Sequence, residues 1–275
     1  MKGDLEMTEA GLERVAGGAA PLLDRVTRLG FATKGMLTII VGVLALRHAL
    51  GHGGRLTGQE GAIRTLRDQP FALTALIVLT AGLSAYALWM FVSAFVDPQG
   101  KGTRIVGIVE RAAFFVTGIG YAALAFGSLS LLLGNGGSRT GLDDLAASVL
   151  TPVFGRWLVG LAGVAVVTAG VLQMRLGATA GFRHDLRQDL SSRWRRITIG
   201  SGRFGYLALG VLSLLVGSSL VRVALKYDPS EAGGWDEALG LLSRFGEGTW
   251  VLGAAAVGLI LYGTYFVLLV RTRAL

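Results

Sequence analysis

Six stretches of the chain are apolar almost without interruption, at about 31–50, 71–96, 113–133, 157–176, 204–221 and 249–270. A helix rises ~1.5 Å per residue, so about 20 residues cross a ~30 Å hydrocarbon core. Each stretch comes close to that length, and the pattern predicts six membrane-spanning helices. Run 71–96 is the longest and has room to tilt, whereas run 204–221 is the shortest and is extended past Arg222 by Val223, Ala224 and Leu225. Ahead of the first run, residues 1–27 are polar and mixed in charge, with no cationic segment feeding a short apolar core, so a cleavable signal is not expected. Leu22, Val26 and Leu29 share a helical face and place 22–29 at the interface, the remainder being read as a mobile tail.

The runs are copies of one another. Arg28-Leu-Gly-Phe31, Arg111-Ala-Ala-Phe114 and Arg203-Phe-Gly-Tyr206 each open an odd-numbered run with an arginine, a small residue two on and an aromatic three on. Small residues follow at seven and fourteen: Gly35 and Gly42, Gly118 and Ala125, Gly210 and Gly217. The arginines lie 83 and then 92 residues apart. The even runs recur as well. Gly61–Ala72, Asp143–Gly155 and Asp236–Gly246 each read as a short outside helix followed by a phenylalanine where the chain enters the span, and Tyr86-Ala87, Ala169-Gly170 and Tyr262-Gly263 align near the far ends. A two-span unit returns to the side it started from, so successive copies share one orientation. The expected fold class is an all-α membrane protein: six transmembrane helices, as three parallel-oriented two-helix repeats around a pseudo-three-fold axis. The expected division is a tail 1–27, repeat 1 at 28–98, a linker 99–110, repeat 2 at 111–176, a basic amphipathic linker 177–202 and repeat 3 at 203–275.

Composition agrees with this reading and charge orients it. The chain is 52% hydrophobic and 16% charged, against about 25% charged in soluble domains. Its net charge of +8 is not spread evenly: the tail, the loops 97–111 and 177–203, the C-terminal segment and the span ends at Arg28, Lys34 and Arg175 hold 17 of 26 basic residues and 9 of 18 acids. The opposite side is balanced, so the positive-inside rule places both termini in the cytoplasm. Positive charge distributed among loops, with no reader fold, argues against nucleic acid as a partner. With no cysteine in the chain, disulfides, thiol catalysis and thiolate metal sites are excluded.

Arg-x-small-aromatic-x-x-x-Gly, followed by a short outside helix and a Phe-Gly entry to the next span, resembles the bacterial membrane family DUF1206, in which a two-helix unit is typically repeated three times. The resemblance covers roughly residues 25–272. Lys34 matches a basic residue of that family's pattern, while Thr117 and Leu209 depart from it, and repeat 2 lacks the tyrosine near its end. The resemblance implies a multi-pass protein of the bacterial inner (plasma) membrane and carries no assigned activity.

The candidate residues follow from the spacing. Positions seven apart share one side of a helix, so Gly35, Gly42, Gly118, Ala125, Gly210 and Gly217 are read as helix-packing residues around the pseudo-axis, where small side chains let backbones approach. Arg28, Arg111 and Arg203 are read as interfacial anchors, with anionic lipid as the sharper alternative. Phe182, Leu186, Leu190, Trp194 and Ile197 fall at helical spacing. With Arg183, Arg187, Arg195 and Arg196 they predict an in-plane amphipathic helix on anionic lipid, or a docking point for a protein partner. Lys34 is the candidate polar residue inside a span, although its stem is long enough to reach the interface. His48 and His52 sit four apart, but the glycines after them break the helix, so no metal site is expected. Asp143-Asp144 and Asp236-Glu237 fit helix starts better than acid–base work. No phosphate loop or nucleophile elbow is present in the sequence, so neither a cofactor nor an enzymatic activity is expected. Two functions stay open: a non-enzymatic scaffold or accessory protein acting through its basic face and lipid contacts, or a small channel or transporter for a neutral or small solute, with Thr38, Thr80, Thr117, Thr168 and Ser84 along its path.

Overall fold

The computed structural model describes residues 2–52, 56–67, 69–97, 102, 105–134, 152–186, 190–226, 239–240, 242–243 and 248–272. Its helices are α1 (Lys2–Ala49), α2 (Gln59–Arg67), α3 (Ala72–Phe95), α4 (Ile105–Leu132), α5 (Pro152–Thr179), α6 (Ser192–Lys226) and α7 (Gly248–Thr272). Six of them carry segments long and apolar enough to span a membrane: Asp24–Ala49, Ala72–Phe95, Gly107–Leu132, Gly160–Thr179, Ser192–Arg222 and Thr249–Thr272. Trp157 and Trp250, at the starts of even-numbered spans, are exposed, as the aromatic belt of a bilayer requires.

The junctions between repeats are built alike. The even span of each copy packs on the odd span of the next: α3 on α4, α5 on α6, and α7 back on α1. At the α1–α7 junction, a Cβ on Gly35 would fall 2.6 Å from the Gly263 carbonyl oxygen, and one on Gly42 would fall 2.9 Å from that of Ala256. At α5–α6, Cβ atoms on Gly210 and Gly217 would meet the carbonyl oxygens of Gly170 and Gly163 at 2.8 and 2.9 Å. Backbones this close leave no room for any other residue, and in lipid such van der Waals contact is what holds helices together. The α3–α4 junction is looser: Gly118 faces the Phe91 ring, and Thr80 Oγ1 donates to Ser128 Oγ at 2.9 Å. The small residues therefore face the preceding repeat's even span and not, as their common spacing implied, a shared axis.

Inside the repeats the likeness breaks down. Within repeat 1, α1 packs on α3, and within repeat 3, α6 packs on α7. Glycine is the reason. A Cβ on Gly30 would lie 2.8 Å from Tyr86 Cα, and one on Gly205 would lie 2.5 Å from Tyr262 Cα. Repeat 2 has Ala113 and Ala169 at these positions, and no comparable packing joins α4 to α5 among the described residues. The likeness of the copies thus holds at the contacts between them and stops at the second copy's interior.

Two expectations are corrected. Residues 2–27 are not a separate tail, because α1 runs without a break from Lys2 through the span to Ala49. It stops at Gly51, whose φ of +71° suits glycine, with Gly51 N–H donating to His48 O and His52 N–H to Arg47 O. Nor does one in-plane helix cover the Phe182–Ile197 stripe. Ala180 adopts a left-handed conformation (φ +52°) that ends α5, Gly181–Asp185 is a 3₁₀ turn, and Leu186 is extended. Phe182 instead turns into the bundle, stacked on Tyr206 with ring centroids 5.4 Å apart and edge-on to Tyr265 at 4.9 Å. Leu186 is buried with it, whereas Trp194 and Ile197 are exposed on the first turns of α6. A pocket of aromatic rings draws the first half of the stripe inward; the second half is the start of a span. Of the outside helices, α2 is described; Asp143–Gly155 before α5 lies outside the described residues until α5 begins, and of the third, Leu239 and Leu242 are described and buried.

Candidate functional site

Lys34 sits on α1 six residues beyond Arg28, roughly 9 Å deeper into the bundle at ~1.5 Å per residue. It does not reach back to the interface: it is 9% exposed, and its Nζ donates to Tyr86 Oη at 2.7 Å. Rings surround the ammonium group. Its Nζ lies 4.2 Å from the Phe266 centroid, 4.7 Å from Tyr86, 5.5 Å from Tyr121 and 5.6 Å from Tyr262. Among the described residues no carboxylate pairs with it; the ion pairs there are Arg28–Asp24 and Arg64–Glu60. A lysine at the centre of a span costs about 2.5–3.5 kcal/mol to insert. A desolvated cation–π contact returns about 2 kcal/mol, so the ring faces offset part of that cost.

The cage packs against itself. Tyr86 and Tyr121 meet edge-on at 4.5 Å, Tyr262 and Phe266 are tilted against each other at 4.9 Å, and Phe31 touches both Tyr86 and Phe266. Toward the arginine-bearing face the rings continue through Tyr206, Tyr265 and Phe182, so aromatic packing fills the bundle on that side. Toward the opposite face lies a cavity of about 230 Å³ lined by Lys34, Thr38 and Val41 of α1, Gly58 and Gln59 at the start of α2, Thr117 and Tyr121 of α4, Gln173 of α5, Leu209 of α6, and Leu259 and Tyr262 of α7. Gln59 Nε2 donates to Tyr121 Oη at 3.3 Å, which pins α2 over the cavity, and Ser213 Oγ donates to Gln173 Oε1 at 3.1 Å, which fixes that amide in the wall. Among the described residues the lining therefore combines one lysine with hydroxyls and amides and no carboxylate. An ammonium group has three N–H donors, and Tyr86 takes one.

Equivalent positions of the three copies converge here. Lys34, Thr117 and Leu209 each stand six residues after their arginine, and all three line the cavity. The site lies where the copies differ. Of the hydroxyl residues proposed for a path, Thr38 and Thr117 line the cavity. Thr80 is bonded to Ser128, and Thr168 and Ser84 are exposed on the outside of their spans.

The arginines do something the sequence did not reveal. Arg111 donates to the Ala94 and Phe95 carbonyls at 2.7 and 3.1 Å, Arg203 to those of Gly177 and Ala178 at 3.3 and 3.2 Å, and Arg28 to that of Val270 and to Asp24. Ala94, Gly177 and Val270 are equivalent positions of the three even spans in the alignment of the copies. Each guanidinium thus satisfies carbonyls left open at the end of the neighbouring repeat's helix, where positive charge also complements the helix dipole. A carbonyl acceptor has no signature in sequence, so residue pattern could not have exposed this. Arg183, Trp194, Arg195 and Arg196 are exposed beyond that rim, and Arg187 lies outside the described residues.

Residues 29–97, 112–180 and 204–273 match the family described as Domain of Unknown Function (DUF1206). The chain is also 31% identical over 258 residues, 94% of each chain, to the "Uncharacterized protein YxxB" of Bacillus subtilis (strain 168). No solved structure matches it.

Proposed function

The chain belongs to the DUF1206 family, and we propose that it is a membrane-embedded, non-enzymatic binding protein, the binding step of a carrier, for a molecule presenting one anionic group to Lys34. The observation that carries this reading is Lys34 itself, caged by aromatic rings at the wall of a cavity that no carboxylate lines among the described residues. The spans contain few polar residues, and several of those few line this one cavity. A charge there also changes the expected solute from neutral to anionic.

The test uses the full-length protein in nanodiscs of zwitterionic lipid, with sodium butyrate as probe and sodium chloride matching ionic strength. A ligand at a hundred times its Kd stabilises by about 2.7 kcal/mol, which for a chain of this size is a rise of several degrees in Tm at about 2–4 °C per kcal/mol. Wild type should show that rise and Lys34→Met should not. An equal response in both, or none in wild type, removes the anion site and favours the second reading: a scaffold acting through exposed Arg183, Arg195 and Arg196 on anionic lipid or a protein partner.

The excess of basic residues on the arginine-bearing face supports a cytoplasmic position for both termini in a bacterial inner membrane. In a chain without native cysteine, Glu60→Cys should react with an impermeant maleimide added to intact cells, and Trp194→Cys only after permeabilisation. The reverse pattern would overturn this orientation.

A further inference from the structure

We infer that the anion at Lys34 is the head of a single-chain amphiphile, a long-chain carboxylate, whose tail leaves the cavity sideways between α4 and α5 into the lipid. This deepens the anion site proposed above and rests on it. Size gives the first argument. A cavity of about 230 Å³ is below the ~300–1,000 Å³ of pockets that enclose a drug-sized ligand, so it takes a head group and the start of a chain but not a long chain whole.

The wall gives the second argument. Packed junctions run in sequence from α4 through α3, α1, α7 and α6 to α5. The side between α5 and α4 is the one with no such packing among the described residues, and both helices line the cavity there, through Gln173 on one side and Thr117 and Tyr121 on the other. These two spans are also the least buried of the six, at 22% for Gly107–Leu132 and 17% for Gly160–Thr179.

The third argument is a substitution between repeats. Nine residues after the arginine, repeats 1 and 3 carry Leu37 and Leu212, each 0% exposed and filling the interior. The same position in repeat 2 is Gly120, where a Cβ would meet nothing within 4 Å. Gly127, one further heptad along, is equally open. A strip of α4 without Cβ atoms therefore lies open at Gly120, next in sequence to the cavity-lining Tyr121, and again at Gly127. It is apolar, as the exposed Val116 and Ile119 of α4 and Val171 and Leu172 of α5 show. A strip of that kind suits an alkyl chain, and a single lysine suits a single negative charge.

The test uses wild-type protein in nanodiscs and myristate carrying a diazirine in the middle of its chain, photolysed with and without excess butyrate. Adducts should concentrate on α4 between Ala113 and Gly127 and on the facing part of α5. Butyrate, which competes for the head position, should cut them about tenfold, and Gly120→Leu should do the same by filling the open strip. Adducts spread over the lipid-facing surface of all six spans and indifferent to butyrate would overturn the tail path. If Gly120→Leu folds and labels at wild-type yield, the path is equally overturned; if it does not fold, the butyrate arm with wild type decides. Butyrate that stabilises wild type while labelling stays diffuse removes the tail path alone. Butyrate that never stabilises wild type removes the anion site and this inference together.

Discussion

Leucine in place of Gly263 is expected to keep repeat 3 from closing on repeat 1, with an apparent Tm lower by on the order of 10 °C and a large loss of folded yield in detergent. A Cβ at Gly263 would lie 2.5 Å from the Gly35 carbonyl oxygen and 2.9 Å from Ile39 N, and both are helix backbone. Backbone cannot rotate away as a side chain does, so α1 and α7 must separate along the whole junction. Overpacking a well-filled site costs about 1–3 kcal/mol, occasionally more, and the contact between helices is lost in addition. At about 2–4 °C per kcal/mol for a chain of this size, a decrease near 10 °C follows. Gly200→Leu is the control. Nothing lies within 4 Å of a Cβ there, and within a helix leucine is favoured over glycine by most of about 1 kcal/mol. The same substitution should therefore be neutral or stabilising in α6. A Gly263→Leu protein that purifies and melts like wild type would refute the junction described here.

That contrast shows what the sequence could and could not convey. Six spans were legible because apolar length is a one-dimensional property, and heptad glycines were legible because a fixed spacing on a helix defines a face. Which helix that face meets is not one-dimensional. Gly35 and Gly210 meet equivalent glycines of the preceding even span, Gly263 of α7 and Gly170 of α5, and no spacing within one helix names that partner. The acceptors of the arginines are main-chain carbonyls, which every residue has. The Phe182–Ile197 stripe misled for a related reason. Helical spacing presumes a continuous helix, and the left-handed Ala180 with its 3₁₀ turn divides the segment before the stripe can form.

The site was hidden by the feature that made the fold legible. Repetition draws attention to what the copies share, and what they share here is junction chemistry: arginine on carbonyl, glycine on backbone. The cavity lies at positions where they diverge, Lys34 against Thr117 and Leu209, and the seam beside it opens where Gly120 replaces Leu37 and Leu212. The three equivalent positions in the lining are a lysine, a threonine and a leucine, so the lining is not symmetric. Its aromatic cage comes from α3, α4 and α7, so no local window of sequence contains it. Repeat 2, in which the intra-repeat glycine and the tyrosine are replaced by Ala113 and Ala169, is the copy whose two spans do not pack on each other among the described residues.

Lys34→Met, already expected to lose the response to butyrate, should be at least as stable as wild type, with a Tm equal or higher by a few degrees. A lysine that served as a structural strut would give the opposite result. Methionine is unbranched and of similar reach, and its sulfur makes contacts of about 0.3–1.5 kcal/mol with aromatic rings, so the ring faces around Nζ keep a partner. The change also removes the cost of holding an ammonium group inside a span, about 2.5–3.5 kcal/mol. Against this stand the cation–π contacts and the bond to Tyr86 Oη, a neutral–charged hydrogen bond contributing about 1.5–3 kcal/mol. These terms nearly cancel, which is what a group kept for binding and not for stability should show. Lys34→Glu sets the other limit: a carboxylate among negative ring faces should lower Tm by on the order of 10 °C. Thermal melts of the three proteins in one detergent are the measurement. A decrease for Lys34→Met as large as that for Lys34→Glu would make Lys34 part of the fold's framework, and the anion site would lose its central residue.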